Sequence, residues 1–115
     1  LSWFQRKPGA WPALTVAALG EIPVGGVKLF TYPDPGEPCV LVRYGADDYA
    51  AYSQTCTHLS CAVYYSREHD RLECPCHEGY FSVRDGSVLQ GPPRRPLPRV
   101  TLERRGDTLV AVRRS

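Results

Sequence analysis

Short apolar runs separated by glycine, proline and polar turns recur along all 115 residues. Segments 14–18, 27–32, 39–44 and 49–53 carry the alternation or brief apolar run of a strand, punctuated by Gly25-Gly26 and Asp34-Pro35-Gly36. Segments 63–65 and 71–73 read as a hairpin around the polar tip 66–70. A second hairpin joins 81–83 to 87–89 and turns at Arg84-Asp85-Gly86, where the glycine can take φ > 0. The tail pairs 100–104 with 108–113 across Gly106-Asp107. Ala17-Ala18-Leu19 is the one run that tempts a helix, and it is too short. The pattern therefore predicts an all-β protein. Residues 1–12 read as an extended leader, because Pro8 and Pro12 oppose helix. The domain proper spans 13–115: an antiparallel β-sandwich base from 13–53 plus 94–115, with a small β subdomain of about 54–93 inserted in it.

Composition narrows the function classes. The chain is one domain, long enough for a real core. Eleven Pro and ten Gly favour turns and short strands over helices. A net charge of +2 is too close to neutral to suggest nucleic acid or an acidic substrate. The late arginine pairs Arg94-Arg95, Arg104-Arg105 and Arg113-Arg114 read as a solvated surface away from any chemistry. No stretch reaches the eighteen or so apolar residues of a membrane span. Trp3, Phe4 and Trp11 are interspersed with Arg6 and Lys7, a mixture that suits a membrane interface or a linker packing back on the domain.

The chemistry sits in two segments. Cys56-Thr57-His58-Leu59-Ser60-Cys61 is followed, after a twelve-residue gap, by Cys74-Pro75-Cys76-His77. Each places a thiol and an imidazole close together and adds one more cysteine. Two Cys with two His is the ligand set of a [2Fe–2S] centre in which imidazoles replace thiolates on one iron. A structural zinc site pairs Cys-x2–4-Cys with His-x3–5-His, whereas here each segment mixes the two types. A pure disulfide framework needs no histidine beside each pair. Thioredoxin-type exchange asks for Cys-x-x-Cys, and Cys74-Pro75-Cys76 is one residue short. The fifth cysteine, Cys39, lies in an apolar run and reads as a small buried thiol. His69, in a charged tip, reads as a solvated loop residue.

The spacing resembles the Rieske iron–sulfur proteins, in particular the disulfide-bearing type of quinol–cytochrome oxidoreductases (cytochrome bc complexes). The resemblance implies one [2Fe–2S] cluster per chain, with Cys56 and Cys74 on one iron, His58 and His77 on the other, and a Cys61–Cys76 bridge. Such a bridge persists in an oxidising compartment, so the expected location is the periplasmic or other extracytoplasmic face of a membrane. The resemblance further implies that His77 contacts a quinol and shares its proton, with His58 also exposed. Leu59 would shield the cluster, and Gly91-Pro92-Pro93 would form a proline loop over its third side. The implied partners are a cytochrome b-type subunit, a c-type cytochrome and quinol. Residue 1 is Leu rather than Met, and the family implies a membrane anchor upstream of it. The chain would then be an electron-transfer subunit, not catalytic alone.

With neutral imidazoles, two ferric ions, two sulfides and two thiolates sum to zero, so adding an electron is easier than in an all-thiolate cluster. High-potential members of the family carry Ser and Tyr hydroxyls after the second His ligand. Here Gly79 and Phe81 stand at those positions, and the neighbouring Tyr80 should point to the other face by strand alternation. Missing donors to the sulfurs lower the potential, which argues for a low-potential donor such as menaquinol. Two other readings stay open. One is the small Rieske subunit of a periplasmic molybdenum oxidase of arsenite-oxidase type. The other is a soluble Rieske ferredoxin, against which the Cys61 and Cys76 pair counts.

Overall fold

The computed structural model describes residues 11–55, 61–76 and 78–115. These form ten strands and no helix: β1 (Leu14–Ala18), β2 (Val27–Thr31), β3 (Pro38–Arg43), β4 (Tyr49–Ser53), β5 (Tyr64–Ser66), β6 (Arg71–Cys74), β7 (Gly79–Ser82), β8 (Val88–Gln90), β9 (Arg99–Arg105) and β10 (Thr108–Arg114). Two antiparallel sheets result. The larger has the order β1-β10-β9-β4-β3-β2, and the smaller has the order β5-β6-β7-β8.

Strand β3, paired between β2 and β4, explains the layering. Its Cys39-Val40-Leu41-Val42 run is buried on both faces, which is why it reads as continuous apolar sequence rather than as alternation. Cys39 and Leu41 point into one core, shared with Val16, Tyr32, Val100 and Leu109, where the large sheet folds over itself. Val40 and Val42 point into the other, shared with Tyr52, Leu72, Phe81 and Val83, between the two sheets. Fully burying a side chain such as Leu41 or Phe81 stabilises by about 1.5–3 kcal/mol. The expected role of Cys39 holds: its thiol is fully buried, outside any disulfide, and burial pushes its pKa up.

Tyr52 clamps the sheets together. Its ring is fully buried, and its hydroxyl donates to the Val83 carbonyl at 2.7 Å. Burial pushes its pKa up to about 12. The β7–β8 turn below it needs Gly86, at φ 79, because a Cβ there would stand 2.9 Å from both the Tyr52 ring and the Leu97 carbonyl oxygen.

Some expectations shift. The leader ends in contact with the domain: Trp11 stacks on Tyr32 at 6.4 Å between ring centroids, and the Tyr32 hydroxyl donates to the Pro12 carbonyl. Arg114 is not simply solvated, since it donates to the Tyr32 carbonyl at 3.1 Å and lies 3.7 Å from Glu37. Trp3, Phe4, Arg6 and Lys7 lie outside the described residues.

Candidate metal centre

Two ladders end where the two cysteine–histidine segments begin. Thr55 and Ala62 form an isolated antiparallel bridge that closes the first segment. Cys74 at the end of β6 pairs with Gly79 at the start of β7, and this pair closes the second. The apolar pattern predicts a strand from residue 81 after the second segment, whereas the ladder begins at Gly79, a residue that carries no side-chain signal for a strand. Glu78, in the turn, takes the left-handed conformation at φ 52.

The two closed segments are tied to each other. Cys61 and Cys76 form a disulfide with their Cα atoms 6.4 Å apart, as the resemblance implied. Cys74 is outside that disulfide and fully buried. Of the other expected ligands, Cys56, His58 and His77 lie outside the described residues, as does Leu59. Their segments are nonetheless delimited by Thr55 and Ala62 on one side, and by Cys76 and Glu78 on the other.

The 91–93 loop packs against the second segment. Gly91 adopts φ 102, and a Cβ on it would lie 2.7 Å from the Gly79 Cα and 3.0 Å from the Glu78 carbonyl oxygen. Backbone therefore meets backbone between this loop and the second segment, an approach that only glycine permits. A Cβ on Gly79 would in turn stand 3.0 Å from Cγ and 3.1 Å from Cδ of Pro93, and 3.7 Å from the Cys74 Cβ. Pro93 is buried while Pro92 is exposed.

Alternation along β6 and β7 sorts the remaining side chains. Leu72, Cys74, Gly79 and Phe81 are buried on the inner face, where Phe81 pairs with Leu72. Tyr80 points to the outer face, as expected, and carries the Arg71 guanidinium 3.6 Å from its ring centroid. There Arg71 Nε donates to Glu73 at 2.9 Å and the Tyr64 hydroxyl donates to the same carboxylate at 2.9 Å. Burial works to raise the Glu73 pKa, but these donors together hold it below the usual range. His69 is exposed and hydrogen-bonded to Ser66.

These features fit a mixed-ligand iron–sulfur centre. One buried thiol sits beside two glycines that let the 91–93 loop pack closely on the second segment, and a disulfide joins the two segments that hold the remaining donors. A family description, the Rieske [2Fe-2S] domain, matches residues 14–101. The chain belongs to the Rieske [2Fe–2S] domain family. A Rieske domain carries one [2Fe–2S] cluster and transfers electrons.

Relatives agree with this membership. The domain is 33% identical over 115 residues to the iodate reductase subunit IdrB of Denitromonas iodatirespirans, covering 89% of this chain and 62% of that protein. It is 33% identical over 85 residues to the cytochrome b6-f complex iron-sulfur subunit of Chlorobaculum tepidum, covering 74% and 44%. The chain thus spans less than two thirds of either relative. The soluble domain of the Rieske protein II of Sulfolobus acidocaldarius shares the fold, with a TM-score of 0.77, 23% identity, and coverage of 91% of this chain and 79% of that one.

The Pro93–Gly79 contact, the Tyr52 clamp and the Arg71–Tyr80 stack were not read from sequence. The glycine at residue 91 was the available signal for the first, since an obligatory glycine marks a close backbone approach.

Proposed function

We propose that this Rieske domain takes an electron and a proton from a quinol at a cytochrome b-type subunit and passes the electron to a c-type cytochrome. It would do so as the electron-transfer subunit of a quinol–cytochrome oxidoreductase, on the extracytoplasmic face of a membrane, held by an anchor outside this chain. The observation that carries this reading is the Cys61–Cys76 bridge between the two ligand segments. A cytosolic ferredoxin could not keep such a bridge, because glutathione and thioredoxin hold cytosolic thiols reduced. The relative named as a cytochrome b6-f iron-sulfur subunit lends support.

In this reading Cys56, His58, Cys74 and His77 hold the cluster, and the bound cluster supplies one-electron chemistry within the Rieske range of about −150 to +300 mV. His77, with His58 as the second imidazole ligand, would accept the quinol's hydrogen bond and hold the proton on the imidazole nitrogen not bound to metal. Leu59, Pro92 and Pro93 limit water at the site. Neither Gly79 nor Phe81 offers a hydroxyl, so the reduced state lacks two stabilising donors and the donor quinol is of low potential, menaquinol in type.

A second reading, the small Rieske subunit of a periplasmic molybdenum oxidoreductase, is favoured by the relative named as an iodate reductase subunit, which aligns with 89% of this chain. Isolation of the holo-subunit with its native partners separates the two. A b-type haem in the complex and cluster reduction by menaquinol support the first. A pterin-bound metal without quinol oxidation supports the second. Both fall if the reduced protein lacks the mixed-ligand EPR spectrum, with its average g below that of all-Cys ferredoxins.

A further inference from the structure

Gly79 stands where high-potential relatives place a serine, and the simplest account of it is a missing hydroxyl. The packing adds a second constraint. The position is buried, its glycine is not held at positive φ, and a side chain is therefore compatible with the backbone there. What opposes one is the ring of Pro93, with Cγ 3.0 Å and Cδ 3.1 Å from the place a Cβ would take. Such distances are tighter than ordinary van der Waals contact, and one of the two residues must give way. Pro93 cannot withdraw freely. Two residues earlier the loop is pinned by Gly91 against the Gly79 and Glu78 backbone, and four residues later Leu97 is buried in the core between the sheets.

We infer that Gly79 and Pro93 are a coupled pair of positioning residues: the Pro93 ring fills the space that a hydroxyl-bearing residue 79 would need, and so sets the tuning of the centre jointly with it. The space lies on the face of the small sheet that also carries Cys74, 3.7 Å from its Cβ. Adding a hydroxyl at 79 alone therefore displaces the proline loop before it can donate to a sulfur. Replacing Pro93 by Ala removes Cγ and Cδ, the two atoms in conflict, and makes room for it. This inference rests on the reading of Cys74 as a cluster ligand.

The test is a double-mutant cycle in the cluster-loaded full chain: Gly79→Ser, Pro93→Ala and the two combined, with Gly79→Ala as the variant that adds bulk without a hydroxyl. Readouts are iron per chain, the EPR spectrum, the midpoint potential and the thermal midpoint. Gly79→Ser and Gly79→Ala alone should lower iron retention and the thermal midpoint. In the Pro93→Ala background both losses should largely vanish, and only the serine should raise the midpoint potential above the Pro93→Ala value. Gly91→Ala serves as the contrast. Its Cβ would meet backbone, so Pro93→Ala should not rescue it. Additive effects at 79 and 93, or equal rescue of Gly91→Ala, would overturn the coupling. Rescue of stability with no potential rise in Gly79→Ser/Pro93→Ala would overturn its tuning role. A wild type that lacks the Rieske EPR signature would instead sink the proposed function, while the thermal cycle would still report on the contact.

Discussion

The Tyr52 hydroxyl donates to the Val83 carbonyl at 2.7 Å across 31 residues of sequence, joining the central strand of the large sheet to the last hairpin of the small one. Tyr52 is fully buried, so this bond has a low-dielectric setting in which losing a partner is costly.

Tyr52→Phe should therefore destabilise the protein by about 1–3 kcal/mol, because the buried Val83 carbonyl is left without its donor. It should also change the alkaline limb of the stability curve. The Tyr52 pKa is raised in the fold to about 12 by burial, so its contribution is complete below the unfolded tyrosine value of about 10 and is lost as pH rises towards 12. Urea titration from neutral to alkaline pH should show a steeper alkaline loss in wild type than in Tyr52→Phe. Identical slopes would remove Tyr52 as the titrating group.

Replacing both Cys61 and Cys76 should leave a folded protein that holds iron poorly. The bridge spans 15 residues of sequence and is worth about 3 kcal/mol in the loop-entropy account. Both cores are built mainly from strand residues outside the bridge, so circular dichroism should stay β-type while iron per chain falls. Peptide mapping should find Cys39 reduced and, in the native state, resistant to alkylation. A disulfide at Cys39 would contradict its burial.

Phe81→Tyr probes the second tuning position. Phe81 is diagonal to Cys74 in the β6–β7 ladder and on the same face, a spacing of about 7–8 Å that an aromatic side chain can cover. A hydroxyl reaching the thiolate favours the reduced state by about 1 kcal/mol, and at about 23 kcal/mol per volt that is a rise of tens of millivolts. Protein-film voltammetry checks it. An unchanged potential with lost stability would mean that the ring tip points away from Cys74 and the hydroxyl is buried without a partner.

The midpoint potential should fall with rising pH once His58 and His77 begin to lose protons in the oxidised state, where the metal makes them stronger acids. Below that range the potential is flat, since both redox states are fully protonated. Voltammetry from about pH 6 to 11 reads the bend. A potential independent of pH throughout would remove proton coupling from the two imidazoles.

Removal of any of Cys56, His58, Cys74 or His77 should abolish the mixed-ligand spectrum. Cys74→Ser should add a folding penalty to the loss of the cluster, because it puts a hydroxyl into a fully buried core position.

Strand identity and the chemistry of the centre were legible in the chain itself. Turn residues and apolar alternation are local signals, and β1 and β4 fall at the residues the pattern marks, 14–18 and 49–53. The Cys and His segments are likewise local, because ligand type and spacing decide which metal chemistry is possible. Tertiary structure decided what depends on residues far apart. Pairing of Cys74 with Gly79 carries the ladder into the second segment, which a glycine cannot announce. The Tyr52–Val83 bond, the Arg114 contacts and the packing of Trp11 on Tyr32 join segments with no common local signal. Gly79 shows the division most plainly. From the sequence it is a position without a hydroxyl, and in the fold it is a position a proline ring already covers, because packing density is a property of neighbours in space rather than in the chain.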